Sequence, residues 1–124
     1  MKIFKNAWFE RFSRKHRISY KALFEAVQRA DKGQIDANLG GGVIKQRVSR
    51  HGQGKSAGFR TIILYRTAER AFFVYGFAKN DRDNITDNEE AQFKKAATYV
   101  LGLSDVKLAE LLSIGQLSEV TDDG

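Results

Sequence analysis

Residues 43–79 read VIKQRVSRHGQGKSAGFRTIILYRTAERAFFVYGFAK, and how this stretch pairs with itself decides the fold. Its first eight residues alternate. Ile44, Gln46 and Val48 fall on one side, and Val43, Lys45, Arg47 and Ser49 on the other, which is the period of a half-buried strand. The segments FRTIILYR and AFFVYGFAK are rich in branched and aromatic residues on both sides, so they belong in the middle of a sheet. Short connections between the three imply an antiparallel meander. The register of the first hairpin stays open, because a slip of one residue puts Arg60 on the face opposite Arg47.

The connection itself, SRHGQGKSAGFR at 49–60, holds three glycines, two arginines, a lysine and a histidine, and no acid. Its Gly-Lys-Ser is the tail of a nucleotide-binding P-loop. That motif needs a glycine five positions before the Gly-Lys pair, and Ser49 stands there; it also needs a helix to follow, where this chain has a strand. The segment is therefore read as a basic turn facing a phosphate on a larger polyanion.

Outward from this hairpin, KIFK near the start has the character of a short strand. In AWFERFSRKH, Trp8, Phe9 and Phe12 are at helical spacing. The segment from Tyr20 places Tyr20, Leu23, Phe24 and Val27 on one helical face, with Ser19 as N-cap and Gly33 as stop. On the other side, Thr86 and Glu89 have capping-box spacing before a helix whose stripe is Phe93, Ala97, Val100 and Leu101. A second short helix buries Leu108, Leu111 and Leu112, and GQLSEVTDDG ends the chain as a strand edge or a frayed tail. The expected order is strand, two helices, three strands, then one or two helices, in a single domain over 1–124.

With 124 residues, 42% apolar and 29% charged, the chain has the make-up of one soluble globular domain. No cysteine is present, which excludes disulfides and thiolate metal sites. Charges at Lys5, Glu10 and Arg11 interrupt any signal-peptide core, and AFFVYGFA is too short to span a bilayer, so a cytoplasmic location with no membrane association is expected. The net charge of +6 is unevenly spread. Between Asp36 and Glu69 no acid occurs, while Lys45, Arg47, Arg50, Lys55, Arg60 and Arg66 do. A basic surface beside a sheet points to a polyanion, nucleic acid above all; the alternative is a solvated face that serves solubility.

Other sites fail on spacing. DRDNITDNEE places Ile85 and Thr86 where a calcium loop needs an oxygen ligand and a glycine, and it reads as acids at a helix N-terminus. His16 and His51 have no metal-ligand pattern, and no Ser-His-Asp arrangement is legible. No metal site and no cofactor are expected.

RNA cleavage without a metal needs few groups. The ribose 2′-hydroxyl attacks its own phosphate, and the enzyme aligns it, moves two protons and neutralises the growing charge. Arginine suits the last task through its planar fork, lysine can move protons, and a glycine turn lets backbone approach closely. Arg47, Lys55 and Arg60 lie on or beside one hairpin, and Lys79 ends the neighbouring strand.

VIKQRVSRHGQGKSAGFRTIILY followed by RAFFVYGFAKNDRDNIT resembles the RelE/HigB-type toxins of type II toxin–antitoxin modules. It is closest in character to a RelE-like branch with Gly-Lys-x-x-Gly-x-Arg and a later Lys-Asn, here Gly54, Lys55, Gly58, Arg60, Lys79 and Asn80. The resemblance covers roughly 1–101 and leaves 101–124 as a C-terminal extension. It implies an α+β fold with helices packed on a RelE/ParE-like antiparallel sheet, and translation inhibition by metal-independent mRNA cleavage, often on the ribosome. Carried over, it implies Lys55, Arg60, Arg47 and Lys79 as catalytic residues, with Arg60 and Arg47 on the scissile phosphate and Lys55 or Lys79 moving protons. Lys45, Arg50, His51, Arg66 and Arg82 are the accompanying RNA-binding candidates. The implied partners are mRNA, the ribosome and a small helix-turn-helix antitoxin.

Two departures stand out. Phe77 occupies a position where some relatives have tyrosine, and the last tyrosine, Tyr99, falls inside an expected core helix; Tyr75 and His51 are the substitutes. Alternative functions are a ParE-like toxin that binds DNA gyrase, and a non-catalytic RNA- or ribosome-binding module.

Overall fold

The computed structural model describes residues 1–50 and 54–122, and the side chains of all of these except 54–57. Its elements run β1 (Lys2–Asn6), α1 (Ala7–Lys15), α2 (Tyr20–Asp31), β2 (Ala37–Gly40), β3 (Val43–Arg50), β4 (Gly54–Arg66), β5 (Arg70–Ala78), α3 (Asp87–Val100), α4 (Asp105–Ser113) and β6 (Leu117–Glu119). They form an α+β fold around one six-stranded sheet of order β2-β3-β4-β5-β1-β6.

The central meander is β3–β4–β5, antiparallel throughout, with the doubly apolar β4 and β5 in the interior of the sheet. Three features extend the expectation. The chain first lays down β2 along β3, a strand absent from the expected order; Gly40, Gly41 and Gly42, all at positive φ, then turn it into β3. β1 runs parallel to β5, so the sheet is mostly rather than wholly antiparallel. Finally, Leu117–Glu119 pairs with β1 as β6, so the expected strand edge forms within the last segment.

Each face of the sheet carries its own core. On one, α1 and α2 lie over Ile44, Val48, Ile63 and Phe73, and the fully buried Phe9 fills the centre. On the other, Ala97, Leu101 and Leu108 of the C-terminal helices cover Val43, Ile62, Leu64 and Phe72. The two layers follow directly from alternation along strands that are apolar on both sides.

α2 meets the sheet through Ala22, Leu23, Ala26, Val27 and Ala30. The small residues allow close approach, so the stripe is rotated from the expected one, and Tyr20 and Phe24 stack on each other at its margin with centroids 5.5 Å apart. Ser19 caps the helix by accepting from the Ala22 amide, and Gly33 at φ +82° ends it.

Gln46 shows why an amide sits on an apolar strand face. It is wholly buried, donates through Nε2 to the Ala26 carbonyl at 2.8 Å and accepts at Oε1 from the Asp36 amide at 2.6 Å. It thereby ties α2 and the approach to β2 onto β3. Left unpaired, such a group would cost about 1–3 kcal/mol.

At the other end of the sheet, β1 leads into α1 through Asn6. Its Oδ1 caps the helix by accepting from the Phe9 amide, and its Nδ2 donates to the Val74 carbonyl on β5. One side chain thus fixes the helix against the edge of β5 just beyond the last β1–β5 pair, Lys5–Phe73.

Candidate functional site

The register left open by the sequence is resolved in β3–β4: Arg47 stands directly opposite Arg60, and Arg60 opposite Phe77 of β5. Residues paired in this way share a face, and their neighbours two positions along are diagonal contacts about 7–8 Å apart. Lys45, Arg47, Arg60, Tyr75 and Phe77 therefore form one patch, on the side of the sheet that carries α3. Within it Phe77 is buried and Tyr75 packs against Phe93 of α3.

Two arginines facing each other across a ladder repel. Arg47 is compensated. Its amide donates to Asp36 Oδ2 at 2.7 Å, its Nη2 lies 3.2 Å from Asp36 Oδ1, and Arg29 reaches both Asp36 and the Arg47 carbonyl. Burial alone would raise the Asp36 carboxyl, but the Arg47 amide and the two guanidinium groups outweigh it and hold it below the usual range.

Arg60 is not compensated. Its Nη1 is buried without a hydrogen-bond partner, and its guanidinium makes no ion pair among the described residues. A buried donor that carries charge and lacks a partner is costly, and it is the feature of this surface that asks for an anion.

Arg82 stands differently from its role as an RNA-binding candidate. Its Nε donates to the Asn84 carbonyl at 3.0 Å, Nη1 to the Tyr75 hydroxyl at 2.9 Å, and Nη2 to Glu89 at 2.6 Å. The guanidinium lies over both the Tyr75 and Phe77 rings, 5.7 and 5.6 Å from their centroids. Arg82 thus positions Tyr75 and the loop after β5. Glu89 closes the clamp while also completing the α3 capping box with Thr86. The Arg82 guanidinium, helped by the Thr86 amide, holds the Glu89 carboxyl at about 2.

A carboxyl depressed in the fold contributes stability above the unfolded-state value, and that contribution is lost as pH falls from about 4.5 towards 2. About a third of the Glu89 side chain is exposed, so the effect is only about 1 kcal/mol. Urea midpoints of wild type and Glu89→Gln should therefore differ at pH 7, draw together as pH falls below about 4.5, and converge only below about pH 2.

The remaining candidates divide. Lys45 joins the patch and donates to Asn84 Oδ1 at 3.1 Å, which bridges β3 to the same loop. Lys79 lies just past the end of β5 and is exposed. Arg50 follows an irregularity in the ladder after Val48 and sits over the Phe59 ring at 5.0 Å, on the face that carries α1 and α2 and so away from Arg60. Arg66 is exposed at the other end of β4, six residues and about 20 Å from Arg60. His51 and the side chain of Lys55 lie outside the described residues.

Of the tyrosines, Tyr75 is in the patch. Tyr99 falls inside α3, as expected, and is 60% exposed on that helix. What the spacing of charges did not reveal was the network around Arg82, and the pairing of Arg47 with Asp36. The one hint was Glu89, whose capping-box position is also its clamp position.

A family model described as the RelE toxin of the RelE / RelB toxin–antitoxin system matches residues 1–120. The chain belongs to the RelE toxin family. The matched residues take in α4 and β6. Membership makes the chain the toxin of a toxin–antitoxin pair, with a cognate antitoxin as partner. No individual curated protein matches the RelE chain. Among the described residues, no helix of this RelE protein is long and apolar enough to cross a membrane.

Proposed function

We propose that this RelE toxin stops translation in the cytoplasm by cutting mRNA on the ribosome, with Arg60 holding the scissile phosphate. Arg60 supports this reading, because its guanidinium makes no ion pair among the described residues and a phosphodiester oxygen would give it an anionic acceptor. Arg47, directly across the ladder, takes the second non-bridging oxygen, and the repulsion between the two arginines becomes attraction to a shared anion.

In the reaction, the ribose 2′-oxygen loses its proton and forms a bond to phosphorus, while the bond from phosphorus to the 5′-oxygen breaks and that oxygen gains a proton. Lys55 or Lys79 takes the first proton. Tyr75 supplies the second, since its oxygen accepts from Arg82 and leaves its own hydroxyl proton to donate. No cofactor enters, and Lys45 with Arg82 keeps the loop and the phenol in place. A helix-turn-helix antitoxin that covers this patch would silence it.

A purified translation system tests the reading through end chemistry. Cleavage by this route leaves 2′,3′-cyclic or 3′-phosphate termini on the message and persists in chelator. Termini bearing a free 3′-hydroxyl would contradict it. Intact messages together with inhibited gyrase supercoiling would instead favour the gyrase-binding alternative.

A further inference from the structure

Beside the phosphate patch, where β5 runs on past its pairing with β1, α1 and the edge of β5 enclose an open cleft of about 360 Å³. Trp8, Arg11, Phe12, Lys15 and His16 recur at helical spacing and so present one face of α1 to it. Its floor depends on Gly76, where an added Cβ would come within 2.8 Å of the Phe12 ring; glycine leaves room for that ring. The walls are aromatic. Trp8 packs on Phe12 and Tyr75 with centroids 5.2 and 4.5 Å away, and His16 lies against Phe12 and Phe59. Trp8 nevertheless remains 37% exposed.

The rim is cationic. Arg11 and Lys15 are exposed and form no ion pair among the described residues, and the exposed Asp81 also lines the cleft. Burial, reinforced by Lys15 and Arg50 and opposed by Asp81, holds the His16 imidazole below its ordinary value, so near neutral pH it meets a ligand as an uncharged ring. Phe77 belongs to both sites: it lines the cleft and is the cross-strand partner of Arg60.

We infer that this cleft holds an unstacked nucleobase of the RNA strand whose phosphate lies on Arg60, with Arg11 and Lys15 on the flanking backbone. Aromatic walls with two unpaired cations at the mouth suit a single-stranded segment, because every base has a face to stack and every linkage a charge to pair. A protein partner of the same shape would leave both cations unanswered unless it carried acids there. The inference rests on the RNA reading above and extends it from one phosphate to a second, separate contact.

Trp8 is the sole tryptophan, so its fluorescence reports this cleft alone. The probe is a single-stranded 2′-O-methyl hexaribonucleotide, which lacks the attacking hydroxyl, with an abasic backbone of equal length as control. Base-bearing strand should quench Trp8, and abasic strand should not. In Arg11→Glu, Lys15→Glu, affinity measured by anisotropy of labelled strand should fall at least tenfold. The slope of log affinity against log salt should also shrink by about 1.4, the share of two phosphate contacts on a single strand. Binding that depends on Arg60 but leaves Trp8 silent, or that abasic strand reproduces, would overturn the cleft and leave the phosphate site standing. Absence of any binding to the free strand would overturn the cleft, while the end chemistry in the translation system decides the phosphate site separately.

Discussion

Arg60→Leu should yield a protein that is no longer toxic and no less stable than wild type. Loss of one preorganised donor to the developing phosphate charge lowers cleavage by about 100- to 1000-fold. In the free protein the same guanidinium is an expense, since Nη1 is buried without a partner and faces Arg47 across the ladder. An apolar side chain of similar length removes that cost, so the urea midpoint should hold or rise by about 1 kcal/mol of stability. Arg47→Leu makes the contrast, because it strips Asp36 of a partner in an existing ion network and should destabilise. If Arg60→Leu unfolded the protein instead, the residue would be structural, and the argument from its missing partner would be lost.

Gly58→Ala should cost at least about 3 kcal/mol, a large effect for a single methyl group. A Cβ at this position would run into the Val48 carbonyl oxygen and come within 3.2 Å of the Arg50 amide, both backbone groups of the paired strand that cannot turn aside. The collision falls where the β3–β4 register shifts, between Val48 and Arg50, and two residues before Arg60. Relief would require the hairpin to part, so activity should fall together with stability. Gly33→Ala serves as the comparison. It has open space around it and only the strain of φ +82°, and should cost about 1 kcal/mol. Similar losses at the two positions would mean the hairpin yields more easily than its geometry implies.

Gly58 also marks how far residues alone could lead. The meander was legible because alternation in β3 and continuous apolar runs in β4 and β5 have different physical causes, one strand half-buried and two buried on both faces. The caps at Ser19 and Thr86 were legible because each is a local bond within three residues. Register was not, since a one-residue slip changes no local preference; the apposition of Arg47 and Arg60 emerges only when both strands pack against the helices. β2 was missed because Ala37–Gly40 is four residues with a glycine among them, held by β3 rather than by propensity.

The site was legible in its cations and opaque in its pairing. Arg82 and Arg60 are alike as letters, yet one has its donors engaged by Glu89, Tyr75 and Asn84 and the other has a buried nitrogen with nothing to bond. Likewise, Trp8, Phe9 and Phe12 share a helical spacing, yet in α1 Phe9 is buried in the core while Trp8 and Phe12 line the open cleft beside β5. Tertiary contacts decide such cases, and sequence periodicity does not carry them.

Mapping RNA ends in bacteria after brief induction of wild type and Arg60→Leu at matched protein levels addresses the phosphate role of Arg60 most directly. New ends within translated messages for wild type, and none above background for a folded Arg60→Leu, are the expected result. Equal growth arrest by the two proteins, or equal new ends, would contradict it.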